Sequence, residues 1–513
     1  MDCRSSEGSL TVESHTHLST DPSRCMSFLH NTSAEQMINN YRSIVDRCDV
    51  GQIQLTIETL PDDALIYVFY FYVTQASEVE AWHTLVHLCK RWRNLVFGSP
   101  LRLNLRIACT NKTPVREMLD IWPPLPIVIS GRLKRKTNLN NVKAALEHHD
   151  RVCKIMLFFA RCNPEDLIAS LEIPFPILTG LNLNAFTSRS FEADPSKFLC
   201  GSTQLRSLTL TCIRIPDILK SLTSTPNLVI LRLDRIGSFL SDEMVTVLSA
   251  LTRLEILELH VEIRRSHPDW ENRHLAPLTR TVLSSLTVLK VRGDTEDLED
   301  LVARIDAPLL GHLYVLVSFP VFDRVIVLDA PHLLRFISRI PKLQTPDEAY
   351  IGFDADEFKI WIVFFFSTLI SPLALRLEIF CFEPKEQFPC LARFCRSPPL
   401  TLQRSEYLCI GEGQFSQQRQ RKYTENTQWL ELLQPFVAVK NLYLAKDFTL
   451  HIAYTLQGLV GVRVMEVLPA LANVFIDEFE LSVLVHKVLK EFVVARQLAG
   501  HPIIISGWDI KQY

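Results

Sequence analysis

Leu205-Arg206-Ser207-Leu208-Thr209-Leu210 is followed by Leu228-Val229-Ile230-Leu231-Arg232-Leu233 and then by Leu254-Glu255-Ile256-Leu257-Glu258-Leu259. Each stretch reads apolar-x-x-apolar-x-apolar, an alternation that buries one face of a short strand. The pattern also stands at Leu178/Leu181/Leu183, Leu286/Leu289/Val291 and Leu310/Leu313/Val315. Later copies are Val439/Leu442/Leu444 and Leu471/Val474/Ile476, and a degenerate one ends at Leu408 and Ile410. The first six copies start 27, 23, 26, 32 and 24 residues apart. Helical stretches lie between them: Ser241-Asp242-Glu243 begins one, and Leu298, Leu301, Val302 and Ile305 form the stripe of another. A single strand-helix unit of this size cannot bury its apolar face, whereas stacked copies can.

The period and pattern predict an α/β solenoid of leucine-rich-repeat-like strand-helix units, with the strands lining one curved face. The array is irregular. The Asn or Cys usual three residues past the last strand position is replaced by Phe186, Ile213, Ile236, Glu262 and Asp294. Residues from about 320 to 400 carry no clean copy and are the expected insertion or distortion. Side chains alternating with the buried ones would face outward, which makes Asn182, Arg206, Thr209, Arg232, Glu258, Lys290 and Tyr314 candidates for substrate contact. The competing reading is that many of them are merely solvated. At the C-terminus Leu481, Leu484, Val485, Val488, Leu489, Phe492 and Val493 follow helical spacing, and Ile503-Ile504-Ile505 reads as a last strand. These would cap the array, since a terminal repeat must cover the exposed core.

Composition narrows the function. The chain has 513 residues, 47% hydrophobic and 22% charged, enough for a large core. A net charge of -3 gives no global case for nucleic acid or an acidic membrane. The longest apolar run, Ile360 to Leu375, is interrupted by Ser367, Thr368, Ser371 and Pro372. It falls short of the roughly 20 residues of a spanning helix, so it reads as buried core. Thirteen scattered cysteines without a Cys-x-x-Cys pair fit reduced thiols, and the N-terminus lacks a signal-peptide pattern. A location in the cytoplasm or nucleus is expected.

No catalytic or cofactor motif stands out. There is no P-loop and no Gly-x-Ser-x-Gly elbow. His83 and His87 have zincin spacing, but Thr84 stands where the base would be, and Cys390 and Cys395 lack a matching ligand pair. Gly411-Glu412-Gly413 has no phosphate-loop continuation. No metal, cofactor or catalytic residue is expected, nor any membrane or nucleic-acid partner. Two basic clusters, Arg132/Lys134/Arg135/Lys136 and Arg419/Arg421/Lys422, read as solvated loops, or alternatively as a nuclear-localisation or substrate contact.

The N-terminal part is organised differently. Residues 1–33 show no apolar period and predict a disordered tail, and residues 34–54 a short helical lead-in. In residues 55–99, Leu60-Pro61-Asp62-Asp63 reads as a helix start, with the acids where the helix dipole favours them. Leu65, Phe69 and Tyr72 follow at helical spacing. A second helical stretch from near Glu78 carries Trp82, Leu85, Val86 and Cys89, continuing through Trp92 and Val96. Residues 100–175 read as a mixed linking segment, with strand-like Leu103 to Ile107 and Ile127 to Ile129, and a helix start at Asn163-Pro164-Glu165-Asp166. The array itself is placed at 176–513.

Leu60-Pro61, Leu65-Ile66, Phe69, Trp82, Leu85, Val86, Leu88-Cys89-Lys90-Arg91-Trp92-Arg93 and Leu95-Val96 together resemble an F-box. The usual pattern opens with Leu-Pro and closes with Val-Cys-Arg-Arg-Trp-Arg; here Leu88 replaces the Val and Lys90 the first Arg. Gly98-Ser99-Pro100, Asn104-Leu105 and Ile121-Trp122-Pro123-Pro124-Leu125-Pro126 are similar to F-box proteins expanded in mushroom-forming fungi. So are the C-terminal Ala495-Arg496-Gln497 and Gly500-His501-Pro502. The resemblance implies a non-enzymatic substrate-recognition subunit of a Skp-cullin-F-box-type ubiquitin ligase. The F-box would dock a Skp-type adaptor of the cullin–RING ligase, and the repeats would hold a protein substrate. Leu60, Pro61, Leu65, Ile66 and Phe69 are the implied docking residues. Val86 is implied with them, while Trp82, Leu85, Cys89 and Trp92 would serve either that surface or the internal core. The alternative is a leucine-rich-repeat scaffold without ligase activity.

Overall fold

A computed structural model describes residues 57–75, 80–112, 114–134, 137–160, 167, 169–190, 197–215, 217–237, 241–260, 280–318, 330–343, 346–353, 359–366, 373–380, 384–397, 404–412, 426–459, 461–477 and 483–508. The tail, the lead-in helix, the helix start at Asn163, Arg135, Lys136 and the second basic cluster lie outside the described residues. The chain divides into two compact units, Met1–Pro61 with Asp509–Tyr513, and Asp62–Trp508. In the first, the described part is a short 3-10 turn, Ile57–Thr59, followed by Leu60 and Pro61.

The second unit opens with the helices Asp62–Gln75, Trp82–Leu88 and Lys90–Gly98. Asp62 and Asp63 occupy the first turn, where their charge suits the dipole. Leu65, Ile66 and Phe69 are buried, and Phe69 packs on Trp92 at 4.7 Å between ring centres. Tyr72 faces outward instead of joining this stripe. The expected single second helix is in fact two. Cys89 is extended (φ -154°, ψ 167°), and its Sγ accepts the Trp92 N–H at 3.4 Å, so the thiol acts as an N-cap and restarts the chain in a new direction.

The strands that follow are β1 (Ile107–Thr110), β2 (Ile127–Leu133), β3 (Val152–Phe159), β4 (Gly180–Ser190), β5 (Ser207–Arg214), β6 (Ile230–Asp234), β7 (Ile256–His260), β8 (Thr281–Val282), β9 (Val288–Gly293), β10 (Ile305–Asp306), β11 (His312–Ser318), β12 (Glu348–Phe353), β13 (Lys359–Phe366), β14 (Leu373–Phe380), β15 (Tyr407–Glu412), β16 (Asn441–Leu444), β17 (Asn473–Asp477) and β18 (Ile504–Trp508). Sixteen of them form one sheet in the order β1-β2-β3-β4-β5-β6-β7-β9-β11-β14-β13-β12-β15-β16-β17-β18, while β8 and β10 pair separately. From β1 to β11 every neighbour is parallel, and the sequence order is kept. The sheet therefore starts at Ile107, well before the leucine motif becomes legible. Leu103 and Asn104 lie in a turn rather than a strand.

The repeat leucines all point to one side. Leu208, Leu210, Leu231, Leu233, Leu257 and Leu289 are buried, while their neighbours along each strand are half-buried or exposed. Helices cover the buried side, among them Ser241–Ala250 through Met244 and Val247, and Thr295–Ala303 through Leu298, Leu301 and Val302. The stripe expected to include Ile305 ends before it, since Ile305 belongs to β10. The helix Pro331–Ser338 has its first turn capped by Glu299, whose two carboxylate oxygens accept the His332 and Leu333 N–H groups at 2.7 Å.

The segment without a clean motif breaks the regular order. β14 lies parallel to β11, β13 runs antiparallel between β14 and β12, and β12 lies parallel to β15. Among the described residues β13 is the one antiparallel strand of the sheet. It carries the first part of the apolar run read from sequence: Ile360, Trp361, Ile362, Val363 and Phe364 are all buried, and Phe365 is exposed. No described helix is long and apolar enough to cross a membrane.

At the C-terminal end, the helix Val483–Leu498 buries Val485, Val488, Leu489 and Phe492. Arg496 is fully buried, and its guanidinium donates to the carbonyls of Leu468, Pro469 and Leu471 at 3.0–3.1 Å. It binds the turn before β17 to the last helix.

Candidate functional site

The outward-facing side chains of the sheet fall into register. Met156, Asn182, Thr209, Arg232, Glu258, Lys290, Tyr314 and Arg376 are successive partners across β3, β4, β5, β6, β7, β9, β11 and β14. The row continues through Val363, Tyr350, Cys409, Tyr443, Phe475 and Ser506. Six of the seven residues expected from alternation thus stand side by side. Arg206 does not: it precedes β5, one position away from Leu205, and is exposed in the approach to the strand. The motif has two residues between its first two leucines, and only the second of them, Ser207, belongs to the strand.

The row is polar in its first half. Glu258 sits between two cations, 3.1 Å from Arg232 Nε and 3.0 Å from Lys290 Nζ, through the same carboxylate oxygen. Two residues further along the strands, His260 Nδ1 lies 2.8 Å from Asp234 Oδ1, and this hydrogen bond holds the Asp234 carboxyl below its ordinary pKa. Arg292 is the exposed register partner of His260 and makes no ion pair among the described residues.

Beyond Lys290 the row becomes aromatic. The Arg376 guanidinium lies 5.7 Å from the Tyr314 ring centre and 5.4 Å from that of Trp361. Its Nε donates to Glu378 at 2.8 Å. Glu378 is nearly inaccessible to solvent and also hydrogen-bonds the Tyr314 hydroxyl; burial first, and Glu378 second, push that phenol's pKa up. The floor here is made by Gly352 on β12 and Gly411 on β15, which are register partners. A Cβ on Gly352 would sit inside the Trp361 indole, and one on Gly411 would come within 2.8 Å of Tyr350 Oη. These glycines let two aromatic rings lie across the sheet. Burial raises the pKa of the Cys409 thiol, two strands on from Val363 in the row, to about 12.

Gly352→Ala is therefore expected to lift Trp361 off the sheet. A cost of about 1–3 kcal/mol is expected for overpacking at such a site. Thermal unfolding measures it, and a change in tryptophan emission reports the displaced indole. A variant with wild-type stability and emission would show that the close approach is dispensable.

The expected adaptor-docking residues divide between core and surface. Leu65, Ile66, Phe69, Trp82, Leu85 and Val86 are buried inside the unit, because the helical period that made them conspicuous is the period of an internal core. Leu60 and Trp92 are half-buried, and Pro61 and Cys89 are exposed. The apolar surface left outside was not singled out from sequence. It consists of Tyr67, Val68, Tyr70, Phe71 and Tyr72, each 43–60% exposed. Their unbroken run, Tyr67 to Val73 with no polar residue, was the available signal.

The three helices are fastened to the sheet. Trp82 Nε1 donates to the Arg106 carbonyl at 2.8 Å, and Glu80 accepts the Ala108 N–H of β1 at 2.8 Å. Trp122 packs edge-on to Trp82 at 5.2 Å and stacks on His83 at 4.6 Å. Burial lowers the His83 pKa, which favours the neutral ring in this stack.

No family model matches the chain, and no curated protein matches it. Among solved structures it is similar to the leucine-rich repeat-containing protein LegL7 from Legionella pneumophila, at 13% identity and a TM-score of 0.28, over 76% of this chain and 97% of that one. At that score the likeness carries no argument, and the repeat architecture rests on the sheet itself.

Proposed function

We propose that the chain is a repeat-based binding module that serves as a substrate-recognition subunit of a Skp-cullin-F-box-type ubiquitin ligase. The adaptor would dock on the helix Asp62–Gln75, and a protein substrate on the open face of the sheet. The observation that carries this reading is the exposed run Tyr67, Val68, Tyr70, Phe71 and Tyr72. A contiguous apolar patch on a helix otherwise fixed to the protein marks an interaction surface. Helix-on-helix docking through such a face is a standard recognition mode. The F-box resemblance supplies the identity of the partner. The face of the sheet supports the second half, since tyrosine, tryptophan and arginine are the residues that anchor protein interfaces.

Co-purification of the full chain with a Skp-type adaptor tests the proposal. Val68→Asp with Phe71→Asp is expected to abolish capture while leaving the melting temperature nearly unchanged, because both side chains are exposed and an interfacial carboxylate would be buried without a partner. Phe69→Asp is unsuitable for this purpose: Phe69 is core, and its loss would unfold the helices. Failure of the folded wild-type chain to bind, or equal binding by the double variant, would sink the docking assignment and leave a repeat scaffold without ligase activity.

A further inference from the structure

We infer that the open face takes an acidic, extended peptide segment of a protein partner, lying across the strands with a carboxylate at about every third residue. The inference rests on the reading of this face as a binding surface. Arg232, Lys290 and Arg376 occur at alternate strands of one register row, on β6, β9 and β14, with Glu258 and Tyr314 between them. Neighbouring strands are about 4.8 Å apart, so successive cations are spaced by roughly 10 Å. An extended peptide advances about 3.3 Å per residue, and three residues cover the same distance.

The charge balance has the matching sign. Glu258 is shared between Arg232 and Lys290, so that trio is left with one positive charge. Arg292 adds a second, being exposed and without an ion pair among the described residues, while Arg376 is balanced by Glu378 and Asp234 by Arg235. A positive track thus runs through a chain whose net charge is -3. The cations are strung over about 20 Å, too far for one small anion and suited to a chain. A nucleic-acid backbone fits less well, since such complexes commonly neutralise about 6–10 phosphates. Past Arg376 the row turns to the buried Val363 and the half-buried Tyr350, so the charged part of the row ends at β14.

The test uses the full chain and a fluorescein-labelled peptide of repeated Glu-Gly-Ser triplets. A peptide of the same composition with its glutamates contiguous serves as control, and a labelled oligouridylate as competitor class. Fluorescence anisotropy is expected to show the spaced peptide binding about tenfold more tightly than the contiguous one, with affinity falling as salt rises. Lys290→Gln with Arg292→Gln, both exposed and on the outward side of β9, keeps an amide donor for Glu258 and is expected to weaken the binding about tenfold or more with little change in melting temperature. Equal binding of the two peptides, tighter binding of the oligonucleotide, or unchanged affinity in the double variant would overturn the inference. Adaptor capture by the same variant separates this from the ligase reading. The variant leaves Tyr67 to Tyr72 intact, so lost capture by wild type with peptide binding retained would remove the adaptor and keep the acidic segment.

Discussion

Trp82→Ala is expected to release the three N-terminal helices from the sheet while the rest of the unit stays folded. Trp82 is completely buried and touches Phe97, His83 and Trp122, and its Nε1–H is spent on the Arg106 carbonyl at 2.8 Å. Truncating a buried tryptophan costs about 3–5 kcal/mol. That loss falls on one small group of helices, which bury little else against the sheet, so it acts locally before it acts globally. Limited proteolysis should cut between residues 62 and 106 at temperatures where the remaining chain resists. Trp82→Phe separates the two contributions: it keeps most of the packing and loses the hydrogen bond, at about 1–2 kcal/mol. If the alanine variant resists protease like wild type, the indole is not what holds the helices.

Arg496→Ala is the second large effect. The guanidinium is fully buried and feeds the carbonyls of Leu468, Pro469 and Leu471. Removing it strands those acceptors in the core, and each unsatisfied buried group costs about 1–3 kcal/mol. A total near 3–4 kcal/mol is expected, given that one acceptor can turn to water or relax. Arg496→Lys should recover little, because one ammonium cannot reproduce the planar fork. Urea unfolding followed by circular dichroism measures both variants. Lys490→Ala, on the solvent side of the same helix, is the control, and a matching loss there would mean that the guanidinium has no special weight.

The repeat was legible because Leu208, Leu231, Leu257 and their kin obey a period that only a stacked strand needs. β1 to β3 were not read as part of it: Ile107, Ile127 and Val152 begin strands whose connecting helices lack a recurring spacing. The same limit applied to the site. Asn182, Thr209, Arg232, Glu258, Lys290 and Tyr314 follow from alternation alone, since each lies between two buried leucines or valines or directly precedes one. Arg376 and Glu378 alternate just as cleanly in Leu375-Arg376-Leu377-Glu378-Ile379. They were missed because that strand returns to β11 only after a reversal, and a reversal leaves no mark on local periodicity. The helical period around Leu65 and Phe69 marked a core faithfully; which residues remained outside it depended on where Trp92 packs.

The detour through β12 and β13 also dictates an assembly schedule. Up to β11 each strand of the main sheet pairs with the strand of that sheet made before it, so the array can grow by end addition, at low loop-closure entropy. His312 of β11 must then wait for Ala374 of β14, and Glu348 of β12 for Tyr407 of β15. Neither pairing can form until more than fifty further residues have been made, and the three-stranded meander has to seat as a block. Such long-range closure is slow compared with local pairing. The chain behind the meander thus has no template until that block is in place, which makes the middle of the solenoid, rather than either end, the step that gates the folding of β15 to β18.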